Sequence, residues 1–135
     1  MGHEAVFVDT SAFYALMDGS DKNHEEAERI WRLCLERDAY LRTSNYVIIE
    51  TTALLQSRLG MEAATLWNRD VLGVVETLWI DESIHAIAHD LWVGIGRRNL
   101  SLVDCVSFTL MRRHGMERAF AFDLHFAKQG FQLLQ

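Results

Sequence analysis

Proline is absent from this 135-residue chain. No helix is broken from within by a pyrrolidine ring, and element boundaries must be read from glycine and from capping side chains. Cysteine is scarce: Cys34 and Cys105 stand far apart, outside any CxxC spacing. That excludes a disulfide-stapled scaffold and leaves two free thiols, as expected of a protein in a reducing cytoplasm. No apolar run approaches the roughly 18 residues of a membrane span. The N-terminus enters a strand almost at once, so no secretory signal is expected, and Met1-Gly2 lacks the Ser or Thr at position six that myristoylation prefers. Basic residues are in deficit, 13 against 19 acidic, for a formal net charge of −6. This disfavours a surface coated for general nucleic-acid binding. It does so less if several carboxylates share one pocket and a metal neutralises them. No linker, repeat or low-complexity segment divides the chain, so residues 1–135 are read as one domain.

What is present starts with Ala5-Val6-Phe7-Val8-Asp9-Thr10-Ser11. An apolar run with β-branched residues at alternate positions reads as a strand buried on both faces. Asp9 then sits at its C-terminal end, where open α/β sheets place their ligand crevice. Ala119-Phe120-Ala121-Phe122-Asp123 repeats the pattern near the other end of the chain.

Between them, Thr10 or Ser11 caps a helix over 12–17, and Gly19-Ser20 is a turn. Asn23 caps an amphipathic helix over 24–36, with Ala27, Ile30, Trp31 and Cys34 as its apolar stripe. A short strand is expected over 39–42. Ser44 or Asn45 opens a helix to Arg58, stopped by Gly60, and a further helix over 61–72 closes at Gly73. A third strand is expected over 74–80, a helix from Asp81 and Ser83 to Ile95, a loop over 96–99, and a helix from Ser101 to Gly115. After the strand ending at Asp123 come one helical turn around Phe126 and a last strand over 131–134. Strands separated by helices predict βαβ units and a mainly parallel sheet covered on both faces.

Four carboxylates stand out. Asp9 and Asp123 end strands, although Asp is also a common turn or cap residue. Asp104 closes the capping-box pattern Ser101-Leu102-Val103-Asp104, which by itself is a structural role. Glu50 shares a helix face with Tyr46, Val47 and Leu54, where an ionised acid is costly unless it is paired, reaches water or binds a metal. Two strand ends, a helix acid and a helix N-terminus can converge on one crevice. Carboxylates that close together do not all ionise without a compensating cation. Oxygen ligands select a hard ion, Mg²⁺ or Mn²⁺, and such a site suits hydrolytic phosphoryl chemistry.

The set Val8-Asp9-Thr10-Ser11, Glu50 within a helix, Leu100-Ser101-Leu102-Val103-Asp104 and Phe122-Asp123-Leu124-His125-Phe126 resembles the PIN-domain ribonucleases. In size and order it is most similar to the VapC-type toxins of toxin–antitoxin pairs. The resemblance covers essentially the whole chain. It implies a three-layer α/β/α sandwich around a five-stranded, mainly parallel sheet, and Mg²⁺- or Mn²⁺-dependent endoribonuclease activity leaving a 5′-phosphate and a 3′-hydroxyl. It implies Asp9, Glu50, Asp104 and Asp123 as the metal-binding and catalytic acids, with Ser11 near metal and substrate. It also implies a homodimer silenced by a cognate antitoxin. Cys105 departs from the small Ala common at that position.

Other features are weighed against this reading. His125 is a candidate RNA contact or an ordinary surface residue. Arg97 and Arg98, in a loop, are candidate phosphate contacts. Arg112 and Arg113 suit the C-terminus of their helix. His85 and His89 are four apart on a helix, but their pattern lacks the glutamate of a zinc-protease helix, so zinc is disfavoured. Trp67, Trp79 and Trp92 fall in apolar patterns and read as core or dimer interface. Rival readings are a stand-alone PIN-domain RNA-processing nuclease, a non-catalytic binding module whose acids are only caps, and a haloacid-dehalogenase-type phosphatase. The last wants a second Asp where Ser11 stands. No GxGxxG follows the first strand, which disfavours a dinucleotide site.

Overall fold

A computed structural model describes residues 4–135. Its sheet has five parallel strands in the order β3-β2-β1-β4-β5. They are β1 (Ala5–Val8), β2 (Tyr40–Ser44), β3 (Glu76–Leu78), β4 (Arg118–Phe120) and β5 (Gln132–Leu133). The helices are α1 (Thr10–Met17), α2 (His24–Glu36), α3 (Asn45–Leu59), α4 (Met61–Leu66), α5 (Glu82–Ile95), α6 (Leu102–Arg113) and α7 (His125–Lys128).

The first strand occupies the centre because its sequence cannot tolerate an edge. Val6, Phe7 and Val8 point alternately to the two faces, and all three are buried, so helices cover the sheet on both sides. Beneath β4 and β5, Phe126 meets Phe108 edge to face at 5.1 Å, and Phe108 stacks on Phe131 at 5.9 Å. The three-layer parallel α/β architecture expected from the sequence is what forms.

The chain turns back toward β2 on one side of β1 and toward β4 on the other. The end of β1 is therefore the point where strand order reverses, the usual site of a crevice in open α/β sheets. The Asp9 amide donates to Phe120 O at 3.0 Å, holding the ends of β1 and β4 side by side.

Several boundaries differ from the sequence reading. The helix expected over 61–72 stops at Leu66 and gives way to a π-helical turn, Trp67–Val71, and a 3₁₀ turn, Leu72–Val74. The widened turn accompanies complete burial of Trp67, whose indole meets the Phe13 ring edge to face at 4.9 Å. Consequently β3 is only Glu76–Leu78, and Trp79, 74% exposed, is not a core residue. The second strand runs later than expected, to Ser44, whose hydroxyl accepts from the Val47 amide and caps α3. The fourth strand ends at Phe120 rather than Phe122. Beyond it the Phe122 amide donates to Ser11 Oγ at 3.0 Å instead of to a ladder.

Candidate active site

Asp9 is the N-cap of α1. Its Oδ2 accepts from the Ser11 amide at 3.1 Å and from Ser11 Oγ at 2.8 Å. Ser11 Oγ in turn accepts from the Phe122 amide. One hydroxyl thus ties the end of β1 to the segment leading from β4 to Asp123. The capping geometry accounts for the shape of the Asp9–Thr10–Ser11 turn, but not for its burial: Asp9 is 4% exposed. Burial pushes its carboxyl up to about 7, and the charges of Asp104 and Asp123 add to the rise while the Ser11 hydrogen bonds oppose it.

Asp104 is delivered by the first turn of α6. Both halves of the capping box are made: the Asp104 amide donates to Ser101 Oγ at 3.0 Å, and Asp104 Oδ2 accepts from the Ser101 amide at 3.2 Å. Despite those bonds its carboxyl lies above the usual range, raised first by burial and then by the charge of Asp123. The capping role predicted for Asp104 is made, and the same side chain lines a cleft with the other acids.

Asp123 sits in the turn before α7, where Oδ1 accepts from the His125 amide at 2.8 Å. Asp104, Asp123 and His125 each offer a ligand atom, all within 4.8 Å of one another. Asp9 and Glu50 lie outside that radius but line the same cleft. This open cleft of about 640 Å³ is lined by Asp9, Ser11, Glu50, Ser101, Asp104 and Asp123, with Ala53, Leu54 and Ser57 along its α3 wall. Glu50 is half-buried. The adjoining Thr51 is buried, its hydroxyl 2.9 Å from that of Thr10, so α3 is pinned to the first turn of α1. Thr51 was not singled out in the sequence, and Thr10, expected as a possible cap, is instead the first residue of a helix capped by Asp9. A hydroxyl pair between distant positions has no local signature.

The remaining candidates separate. His125 and Arg97 line a second cavity beside the first, while Arg98 is exposed and lines neither. His85 hydrogen-bonds through Nδ1 to the Tyr46 hydroxyl at 2.6 Å, and it joins His89 in no cluster of possible metal ligands among the described residues. Cys105 is buried beside Asp104 and takes no part in the cleft.

No single positive side chain among the described residues lines the acidic cleft. The donors are hard oxygens, one imidazole is within reach, and Asp9 and Asp104 are raised first by burial and then by the charges of neighbouring acids. That donor set fits a divalent cation. A central parallel sheet carrying such a set at its C-terminal edge defines an α/β enzyme of the metal-dependent hydrolytic class.

The chain belongs to the PIN domain family, whose model matches residues 6–132. It is 35% identical over 127 residues to the 23S rRNA-specific endonuclease VapC20 of Mycobacterium tuberculosis, covering 93% of this chain and 95% of that protein. The crystal structure of the same organism's VapC20, described as a sarcin–ricin loop cleaving toxin, superposes with a TM-score of 0.83 at 34% identity, over 93% of this chain and 95% of that one. DNA-bound VapBC of Salmonella typhimurium (TM-score 0.69, 12% identity, 97% of each chain) and FitAcB of Neisseria gonorrhoeae (0.69, 14%, 96% of each) share the fold. Among the described residues no helix is long and apolar enough to cross a membrane.

Proposed function

We propose that this chain is a divalent-metal-dependent endoribonuclease, the toxin of a toxin–antitoxin pair, acting on RNA in the cytoplasm. The observation that carries the reading is the convergence of Asp9, Asp104 and Asp123 with Glu50 on one cleft, at a cost in burial and repulsion that capping alone does not require. The likeness to an rRNA endonuclease across nearly the full length of both chains supports it.

In this reading Asp9, Asp104 and Asp123 hold the ion, with Glu50 facing it across the cleft. When bound, Mg²⁺ or Mn²⁺ supplies Lewis acidity toward the phosphate and lowers the pKa of water. Ser11 orients Asp9 and, through the Phe122 amide, keeps the two strand ends in register. His125 stands beside Asp104 and Asp123 and lines the neighbouring cavity. Hydrolysis leaves a 5′-phosphate and a 3′-hydroxyl. Exposed apolar side chains, among them Ile49, Trp79 and Val93, support a second chain packing on this one, whether another copy or an antitoxin.

The test is cleavage of a 23S rRNA fragment and of an unrelated structured RNA in Mn²⁺, with and without chelator. The wild type should cut. Asp9→Asn should be slower by about a thousandfold, roughly 4 kcal/mol of barrier. Cutting that survives chelator, or that survives Asp9→Asn at the wild-type rate, refutes the reading.

A further inference from the structure

Two adjacent cavities of opposite character meet at this end of the sheet. The acidic cleft has no cation in its wall. Its neighbour, about 480 Å³, is lined by Ile95, Arg97, Leu100, His125, Lys128 and Gln129 and contains no carboxylate. The two share their borders at two places in the chain: Leu100 lines one and Ser101 the other, and likewise His125 and Asp123. His125 also places a ring nitrogen within 4.8 Å of carboxylate oxygens of both Asp104 and Asp123.

The basic side chains here are uncommitted. Elsewhere Arg29, Arg42, Arg69 and Arg118 are held by Glu26, Glu76, Asp70 and Glu4. The side chains of Arg97 and Lys128 have no ion-pair or hydrogen-bond partner among the described residues. Gln129 is treated differently. Its Oε1 accepts from Arg112 Nη2 at 3.0 Å, and that guanidinium lies 5.2 Å from the Phe131 ring centroid. The anchored amide keeps its Nε2 as the group left to donate. Ile95 and Leu100 add apolar surface. Cations, an amide donor and an apolar wall together match a nucleotide unit of an unpaired strand: phosphate to the charges, ribose and base to the wall.

We propose that this pocket, between the α5–α6 loop and α7, is a phosphate subsite for single-stranded RNA. It holds the phosphodiester next to the one placed at the acidic cleft, with Arg97 and Lys128 as its cations and Gln129 as its neutral donor. This deepens the nuclease reading and rests on it. Lys128 and Gln129 were not candidates from the sequence, while Arg98, which was, lies outside the pocket.

The test uses the full chain and a fluorescent single-stranded RNA of about ten nucleotides, followed by anisotropy in Ca²⁺ across a salt series, with RNA integrity checked on a gel. Arg97 and Lys128 are exposed, so R97A/K128A should fold, which a thermal melt verifies. Its Kd should rise about tenfold. The slope of log affinity against log salt should fall by about 0.7, the contribution of one phosphate neutralised on a single strand. In Mn²⁺ the loss should fall mainly on KM. R69A, at a distant ion pair, serves as the control. Unchanged Kd, slope and KM in R97A/K128A, with the wild type binding and cutting, overturns the subsite alone. Wild-type binding that shows this dependence without any cleavage in Mn²⁺ upholds the subsite and removes the nuclease reading. A wild type that does not bind RNA overturns both.

Discussion

The two edges of the same sheet treat charge in opposite ways. At the N-terminal edge, Glu4 meets Arg118 at 3.2 Å across β1 and β4, and Arg42 meets Glu76 at 2.9 Å across β2 and β3. Both of these acids have a cation, and the groups are partly exposed. At the C-terminal edge Asp9, Asp104 and Asp123 have hydrogen-bond donors and one another, with no lysine or arginine in the cleft wall. The first arrangement is what a stable surface looks like. The second leaves several acids sharing one cleft without a cation in its wall. An unpaired, partly buried carboxylate is thus more informative about function than a paired one.

The largest expected effect lies in how stability varies with pH without metal. The folded-state pKa of Asp9 is about 7, raised from 3.8. Between those values the native state holds more protons than the unfolded chain, so this group's contribution is full below about pH 4 and declines as pH rises toward 7. The loss is at most about 4 kcal/mol. Chelated protein should therefore melt higher at pH 5 than at pH 7.5, and Asp9→Asn should flatten that difference. Because Asn caps a helix about as well as Asp, chelated Asp9→Asn at neutral pH should be as stable as wild type or more so. A clear fall in its melting temperature would make Asp9 a mere cap.

A smaller effect is expected at the link between the strand ends. Ser11→Ala removes a donor to Asp9 and leaves the Phe122 amide without its acceptor. Denaturant unfolding should report a loss of about 1–3 kcal/mol, and RNA cleavage should slow as well. The smallest belongs to the opposite edge. Arg118→Ala breaks a partly exposed ion pair and should cost under about 1 kcal/mol, with no change in metal dependence.

The parts of this molecule that were legible in its sequence are those where one residue type carries the whole signal. The buried β1 run and the Ser101 capping box are local patterns, and both form; Asp9, Asp104 and Asp123 line one cleft, although Asp123 stands in a turn beyond the end of its strand. Glu50 was legible because an acid on an apolar helix face is anomalous, and α3 does bring it to the cleft wall. What stayed hidden depends on tertiary partners. Nothing local tells the helix after Gly60 to widen at Trp67, whose ring packs against Phe13 of another element. Nothing local ends β4 at Phe120, because the Phe122 amide is diverted by a hydroxyl 111 positions earlier. Lys128 and Gln129 become neighbours of Arg97 only once α7 lies beside the loop that precedes α6. Trp79 read as core or dimer interface because its neighbours are apolar, and it stands exposed just past the end of β3, which rules out the core.

The central claim is that the unpaired edge is completed by a divalent cation, and calorimetric titration of Mn²⁺ tests it directly. Wild-type protein should bind Mn²⁺ saturably and release protons in doing so at pH 6.5, while Asp104→Asn should bind at least tenfold more weakly. A wild type that takes up no Mn²⁺ at millimolar concentration, or an Asp104→Asn that binds it equally well, would contradict the account.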